Sequence, residues 1–268
     1  MKDYVLELAA SQKSFNDKLN VMREYLQAYV LKILHGEGFF RSNAFVGGTA
    51  LRFLYGLPRF SEDLDFSLEK KGNNSFTEIL KKIKQELTLA GYEISVSYQS
   101  EKTVQKANVK FEKLMYEAGL SPLKNQKISV KLEIDTNPPR GASLKTQIVN
   151  QYFPIAFLAH DLNSLFAGKL IAFLVRKYTK GRDFFDVGWY LSRWKDLSPN
   201  MTLLQNGLRQ AAWQRVLPTD STWRKVIYQI VKKADWKKVR EDVENFLENP
   251  NDLNVFTQEN VLQLIQTL

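Results

Sequence analysis

Two carboxylates one residue apart, Asp63 and Asp65, offer the most direct chemistry in this sequence. On an extended strand, residues i and i+2 project to the same side. The pair then presents oxygen donors from one face while Leu64 and Phe66 anchor the other. Like charges side by side oppose each other's ionisation, and a cation relieves the conflict. The spacing suits Mg²⁺, which takes oxygen ligands and keeps several waters. Taken alone, Asp-x-Asp is also an ordinary pair of exposed acids. Gly47-Gly48-Thr49 precedes it, after a strand and before a helix. Glycines let the backbone approach a phosphate closely, a helix N-terminus offers unpaired N–H groups, and the Thr49 hydroxyl adds a hydrogen bond. By itself the tripeptide reads equally as a tight turn with an N-cap. A third carboxylate is expected from a neighbouring strand. Residues 130–135 put Glu133 and Asp135 on one face and Leu132 and Ile134 on the other. Glu133, flanked by apolar residues within the strand, is the favoured ligand. Asp135, near the strand end, is the alternative, or else caps the following turn.

These side chains need elements to hold them. Residues 44–46 read as a short strand, 49–55 as a helix, and 56–60 as a turn containing Pro58. Leu64, Phe66 and Leu68 alternate with Asp63, Asp65 and Ser67, which is strand periodicity. Upstream, Phe15, Leu19, Met22, Leu26, Val30 and Ile33 recur at helical spacing, capped at Ser11 or Ser14 and stopped by Gly36 and Gly38. Downstream, Phe76, Ile79, Leu80, Ile83 and Leu87 mark a helix ending near Gly91. Tyr92, Ile94, Val96 and Tyr98 alternate as a strand, 104–115 reads ambiguously as another, and Ile128, Val130, Leu132 and Ile134 as a clear one. After about Pro154 the pattern is helical: 162–178, 183–193, 202–213, 223–234, 236–247 and a last helix near 260–266. The expected division is an α/β domain over 1–153 and a helical domain over 154–268.

Composition removes several alternatives. Of 268 residues, 44% are hydrophobic and 25% charged, which suits a folded chain with a sizeable core. Without cysteine there is no disulfide, thiolate metal site or cysteine nucleophile. With only His35 and His160, a zinc site built on several histidines is ruled out, and neither lies in a motif typical of a Ser-His-Asp triad. No apolar run approaches the roughly 18–20 residues that span a bilayer, and Asp3 interrupts any signal-like N-terminus. The expectation is a soluble, cytoplasmic protein with no membrane partner. The formal charge of +9 favours anionic partners such as nucleotides or RNA. The clusters Lys81-Lys82-Lys84 and Lys232-Lys233-Lys237-Lys238-Arg240 fall on predicted helices and read as solvated faces.

Gly47-Gly48-Thr49 followed by Asp63-Leu64-Asp65 resembles the first motif of the DNA polymerase beta-like nucleotidyltransferase superfamily, and Leu132-Glu133-Ile134 resembles its third-carboxylate strand. The longer string from Gly47 to Phe66 carries Arg59, Ser61, Asp63 and Asp65 in an Arg-x-Ser-x-Asp-x-Asp pattern. It is similar to the AbiEii/AbiGii toxin branch. Asp161 and Lys169, then Arg182, Asp183 and Asp186, resemble that branch's later motifs. On spacing alone, Lys169 on an apolar helix and Asp183 with Asp186 at i, i+3 read as a structural pair locking two helices. The resemblance turns the reading towards an active site. It is dense at the first motif, thinner to about residue 190, and leaves the tail from about Leu197 unassigned.

The resemblance implies an α+β fold, a mixed sheet with flanking helices followed by an all-α C-terminal domain. It implies Mg²⁺-dependent nucleotidyl transfer from a nucleoside triphosphate with pyrophosphate release. Two Mg²⁺ ions, about 3.5–4 Å apart in such sites, fall to Asp63, Asp65 and Glu133, or Asp135. Gly47, Gly48 and Thr49 take the β- and γ-phosphates, with Arg59, Ser61, Lys169 and Arg182 around the nucleotide. Asp183 or Asp186 orients Lys169 or an acceptor hydroxyl, in a site expected between the two halves. The toxin branch implies growth inhibition, an RNA acceptor such as the tRNA 3′ end, and a cognate antitoxin that need not bind the toxin; a monomer is expected. Two other readings stand beside it. One is a nucleotidyltransferase acting on a small molecule such as an aminoglycoside. The other is a nucleotide-binding interaction protein without turnover, which the intact carboxylate set disfavours.

Overall fold

The computed structural model describes residues 1–70 and 75–266. Helices α1 (Lys2–Ala10) and α2 (Phe15–Gly36) lead to strand β1 (Asn43–Val46), helix α3 (Gly47–Tyr55), strand β2 (Asp63–Leu68) and helix α4 (Phe76–Leu89). Strands β3 (Ile94–Gln99) and β4 (Val104–Phe111), short helix α5 (Leu114–Glu117), then strands β5 (Ile128–Asp135), β6 (Leu144–Asn150) and β7 (Pro154–His160) follow. The rest is helical: α6 (Leu162–Val175), α7 (Gly181–Arg193), α8 (Met201–Gln210), α9 (Trp223–Lys233), α10 (Trp236–Glu244), α11 (Asp252–Val255) and α12 (Gln258–Gln266). This is the expected α+β class, a mixed sheet with flanking helices and then a helical region. Among the described residues no helix is long and apolar enough to cross a membrane.

The chain packs as two units. One comprises Met1–Gly56, Phe60–Pro138 and Lys145–Ala159, the other Leu57–Arg59, Pro139–Leu144 and His160–Leu268.

In the first unit seven strands form one sheet in the order β3-β4-β5-β2-β1-β7-β6. β2 runs parallel to β5 and β1 parallel to β7, while β1–β2, β3–β4 and β4–β5 are antiparallel. Alternation makes the sheet two-faced. Ile128, Val130, Leu132 and Ile134 are buried along β5, as are Ala107, Val109 and Phe111 on β4 and Leu64 and Phe66 on β2. Helices α2 and α4 lie on this apolar side: Tyr29 of α2 meets Tyr92, Tyr92 meets Phe111, and Phe76 of α4 meets Tyr98 of β3. Both helices start on serine caps. Ser14 accepts from the Asp17 N–H, and Ser75 forms a reciprocal capping box with Glu78. Phe45 stacks on Phe157 at 5.1 Å, and Phe39 meets Phe66 edge-on at 4.9 Å. These aromatic contacts fix β1, β2 and β7 relative to one another, and so fix what stands on the opposite face.

Two strands go beyond the sequence expectation, which assigns no element to 144–150 and places 154–160 in the helical half. β6 is largely exposed, so its alternation carries little contrast. β7 buries Ile155, Phe157 and Ala159, but a short apolar run beside a helix has no decisive period.

In the second unit Asp161 caps α6 by accepting from the Ser164 N–H. Phe166 stacks on Tyr190 at 4.4 Å and meets Trp223 edge-on, joining α6, α7 and α9. At the start of α7, a Cβ on Gly181 would collide with the Val239 carbonyl, so only glycine lets α7 lie so close to α10.

Candidate active site

The polar face of the sheet carries the predicted carboxylates together. Asp63 and Asp65 project from it on β2. Register places Asp65 beside Glu133 and Asp63 beside Lys131 on β5, with Lys106 of β4 opposite Glu133. Leu64, Phe66, Leu132 and Ile134 hold the same strands from below. Asp135 lies one repeat further along, beside Ser67, and its Oδ1 accepts from the Asn137 N–H at 3.0 Å. It therefore caps the turn after β5.

The glycine turn is built against this face. Helix α3 begins at Gly47, two residues earlier than the sequence suggests, with Val46 as an extended N-cap. Gly47 sits at φ +79°, and a Cβ there would strike the Asp65 carboxylate. Thr49 is buried, and its hydroxyl donates to the Asp63 carbonyl at 2.5 Å. That hydroxyl, expected on a phosphate, here ties α3 to the carboxylate strand. The other end of α3 is held by a buried network that sequence reasoning missed. Arg52 pairs with Glu24 of α2 and lies 4.1 Å from the Phe60 ring centre. Glu24 also accepts from Tyr152 at 2.9 Å and Gln151 at 3.1 Å. The only signal is a glutamate inside the apolar run of α2, which needs a partner when buried. Ser61 precedes β2, and its carbonyl accepts from Gln27.

Gly47→Ala is expected to stabilise nothing and to impair the site. The positive φ costs about 1–3 kcal/mol in a residue with a Cβ. Displacing Asp65 by about an ångström should lower turnover by about 100-fold. Thermal unfolding with steady-state rates checks this; unchanged turnover would separate the turn from the chemistry.

Glu133 is not free. Lys106 Nζ lies 3.0 Å from its Oε1, and Lys131 pairs with the same oxygen. That oxygen is buried, and the lysines meet it as ion pairs rather than well-aligned hydrogen bonds. Burial pushes the Glu133 carboxyl up, but the two lysines more than offset this and hold it below the ordinary range. Burial lowers the Lys131 ammonium, while Glu133, Asp63 and Asp65 outweigh burial and raise it. Sequence could have flagged Lys131, which shares Glu133's side of β5 at i, i+2. Lys106 falls in the ambiguous stretch, where register is unreadable. The hard oxygens of Asp63 and Asp65 fit a Mg²⁺-type cation. Among the described residues no three His, Asp or Glu side chains stand grouped for a metal as they lie.

In the helical unit Asp186 is fully buried between two cations. Arg59 grips it at both oxygens, Nε–Oδ1 2.6 Å and Nη2–Oδ2 2.7 Å, and Lys169 Nζ lies 2.7 Å from Oδ2. Arg59 reaches it from a short stretch stitched to Leu247 and Glu248 by backbone contacts. Burial would raise the Asp186 carboxyl, but Arg59 and Lys169 overcome it and lower it. Asp183, one helical turn earlier, instead pairs with Arg176 at 3.0 Å. The Arg182 side chain lies over the Phe246 ring at 4.0 Å, and the Arg182 backbone N–H donates to Asp242 Oδ2 at 3.2 Å. Sequence reasoning misses Arg176, because it falls past the apolar pattern of α6.

A family model described as "Nucleotidyl transferase AbiEii toxin, Type IV TA system" matches residues 31–258. Two crystal structures from Helicobacter pylori share the fold. JHP933 is 20% identical at a TM-score of 0.53, over 90% of this chain and 87% of that one. A candidate nucleotidyltransferase is 21% identical at a TM-score of 0.55, over 91% of each chain. No curated protein gives a significant match.

Proposed function

The chain belongs to the AbiEii nucleotidyltransferase toxin family of type IV toxin–antitoxin systems, and from that premise we propose that it transfers a nucleotidyl group from a nucleoside triphosphate to RNA, with the tRNA 3′ end as the leading acceptor. The reaction is a displacement at the α-phosphorus. An acceptor hydroxyl oxygen bonds to phosphorus, the α–β anhydride bond breaks, and pyrophosphate leaves. A protein contributes to such a step chiefly by positioning and by stabilising charge.

The observation that carries the reading is the stacking of three features on one sheet face. Asp63 and Asp65 share β2, Asp65 stands in register with Glu133, and Gly47 closes on Asp65 without a side chain between them. Asp63, Asp65 and Glu133 are the residues that would hold Mg²⁺, with Asp135 as alternative to Glu133. When bound, the metal supplies charge neutralisation at the phosphates and acidifies the attacking hydroxyl. Gly47 and Gly48 are the proposed phosphate contacts, through backbone N–H groups at the start of α3. Thr49 holds that helix to β2, and Ser61 leads into the same strand. Lys169 neutralises the triphosphate, and Asp186, buried beneath it, sets its position. Arg59 acts through Asp186, and Asp183 and Arg182 through their own partners Arg176 and Asp242. Residues 1–153 are read as the nucleotidyltransferase domain and 154–268 as the helical domain. Family membership implies a cognate antitoxin; the cytoplasm, where triphosphates and tRNA meet, is the proposed location.

Expression in a bacterial host, with and without Asp63→Asn and Asp65→Asn, tests this. The wild type should slow growth and leave extra nucleotides on RNA 3′ ends, and the double variant should do neither. Label from a radioactive triphosphate appearing on an aminoglycoside and not on RNA would overturn the acceptor. No label on either would overturn the activity.

A further inference from the structure

We propose that Lys131 and Lys106 are built-in counter-ions that occupy the cation position of the carboxylate face in the free enzyme and give it up only when a divalent cation arrives with a triphosphate. The inference rests on the metal reading above and concerns residues that reading leaves without a role. The geometry is a chequerboard of charge on adjacent strands. Lys131 stands in register with Asp63, Glu133 with Asp65, and Lys106 with Glu133. Both ammonium groups converge on one oxygen of Glu133. The Lys131 and Lys106 side chains are 36% and 45% exposed, against 21% for Glu133, so the lysines can leave while the carboxylate stays.

Asp63, Asp65 and Glu133, on paired strands of one sheet face, need compensating charge. Two ammonium groups provide the same charge as one divalent cation, so the two solutions compete. Metal without nucleotide must displace the lysines into water and strand their charge beside its own. Metal bringing a triphosphate delivers anionic oxygens to the place where the lysines are released. A lysine is a point charge on a flexible stem, suited to such a transfer. The free enzyme therefore discriminates against bare divalent cation, and metal and nucleotide bind with positive coupling. Lys131 and Lys106 are positioning and specificity residues in this scheme.

The test measures Mn²⁺ binding calorimetrically to wild type and to Lys106→Met/Lys131→Met, alone and with an α,β-methylene triphosphate. Without nucleotide the double variant should bind Mn²⁺ about ten-fold tighter, the scale of losing two partly exposed charge contacts. In the presence of Mn²⁺ it should bind the triphosphate about ten-fold more weakly, so the coupling shrinks. A purely structural role would not move the two affinities in opposite directions. Should the double variant fold poorly, Lys106→Met alone, at the more exposed position, should show the same pattern at about three-fold. Mn²⁺ affinity without nucleotide that is unchanged or weaker in a folded variant overturns the counter-ion role. If the wild type with nucleotide binds Mn²⁺ no better than Asp63→Asn/Asp65→Asn, the metal reading fails, and this inference fails with it.

Discussion

Replacing Asp63 and Asp65 together with asparagine is expected to lower nucleotidyl transfer by at least about three orders of magnitude, since metal-mediated charge stabilisation is worth several kcal/mol. The chain should stay folded. Both side chains stand on the polar face of the sheet and are neither fully buried nor packed into the apolar core. Asparagine keeps their shape, and losing two like charges removes repulsion between neighbours. Leu64 and Phe66, on the opposite face, still fix the strand. Single substitutions should cost nearly as much as the pair, because ligands that act as one unit are strongly non-additive. Pyrophosphate release with a fixed RNA acceptor, beside thermal unfolding, makes the comparison. A double variant within about ten-fold of wild type, or one that loses its fold together with its rate, would remove β2 from the chemistry.

How far sequence reaches into this site follows from the range of each signal. Burial alternates through all of β5, so the apolar residues Leu132 and Ile134 declare the face of Glu133 by their spacing alone. The partner of that face is another matter. Strand period repeats every second residue and carries no register, so the juxtaposition of Asp65 with Glu133, and of Glu133 with Lys106, is invisible in the sequence. Gly47 and Thr49 are legible as a turn but not as a turn closing on Asp65. Only the positive φ and the missing Cβ of Gly47 show that. Spacing alone favours a structural Lys–Asp lock between two helices, and Lys169 with Asp186 forms that contact. Arg59, expected near a phosphate, is instead buried on Asp186, 127 residues away in sequence, a pairing no local pattern encodes. β7 escapes because seven residues of an apolar strand and the start of an apolar helix look alike at that length.

Asp186 is where the loss of one side chain should cost the most stability. It is fully buried, and it is the carboxylate that Arg59 and Lys169 both meet. Asp186→Asn should leave two buried or half-buried cations facing a neutral amide, and breaking a buried pair in this way costs about 3–5 kcal/mol. For a chain of this size that is a fall of roughly 10 °C in the unfolding midpoint. Lys169→Met should behave differently. The Arg59–Asp186 fork remains, so most of the stability stays, while triphosphate affinity drops because the ammonium is gone. The pH dependence separates a charge effect from a simple packing defect. Arg59 and Lys169 depress the Asp186 carboxyl in the folded chain, whereas the unfolded chain titrates near the ordinary value of about 3.9. Between those two values the unfolded chain binds the extra proton, so stability there rises with pH. Asp186's contribution is therefore complete above the ordinary carboxylate range and is lost as pH falls through the folded value. The gap between wild type and Asp186→Asn should be constant near neutrality and narrow below about pH 4. Denaturant unfolding across that range measures it. A gap that persists unchanged into acid would mean that shape, and not charge, is what Asp186 contributes, and the buried carboxylate would then have no claim to orient Lys169.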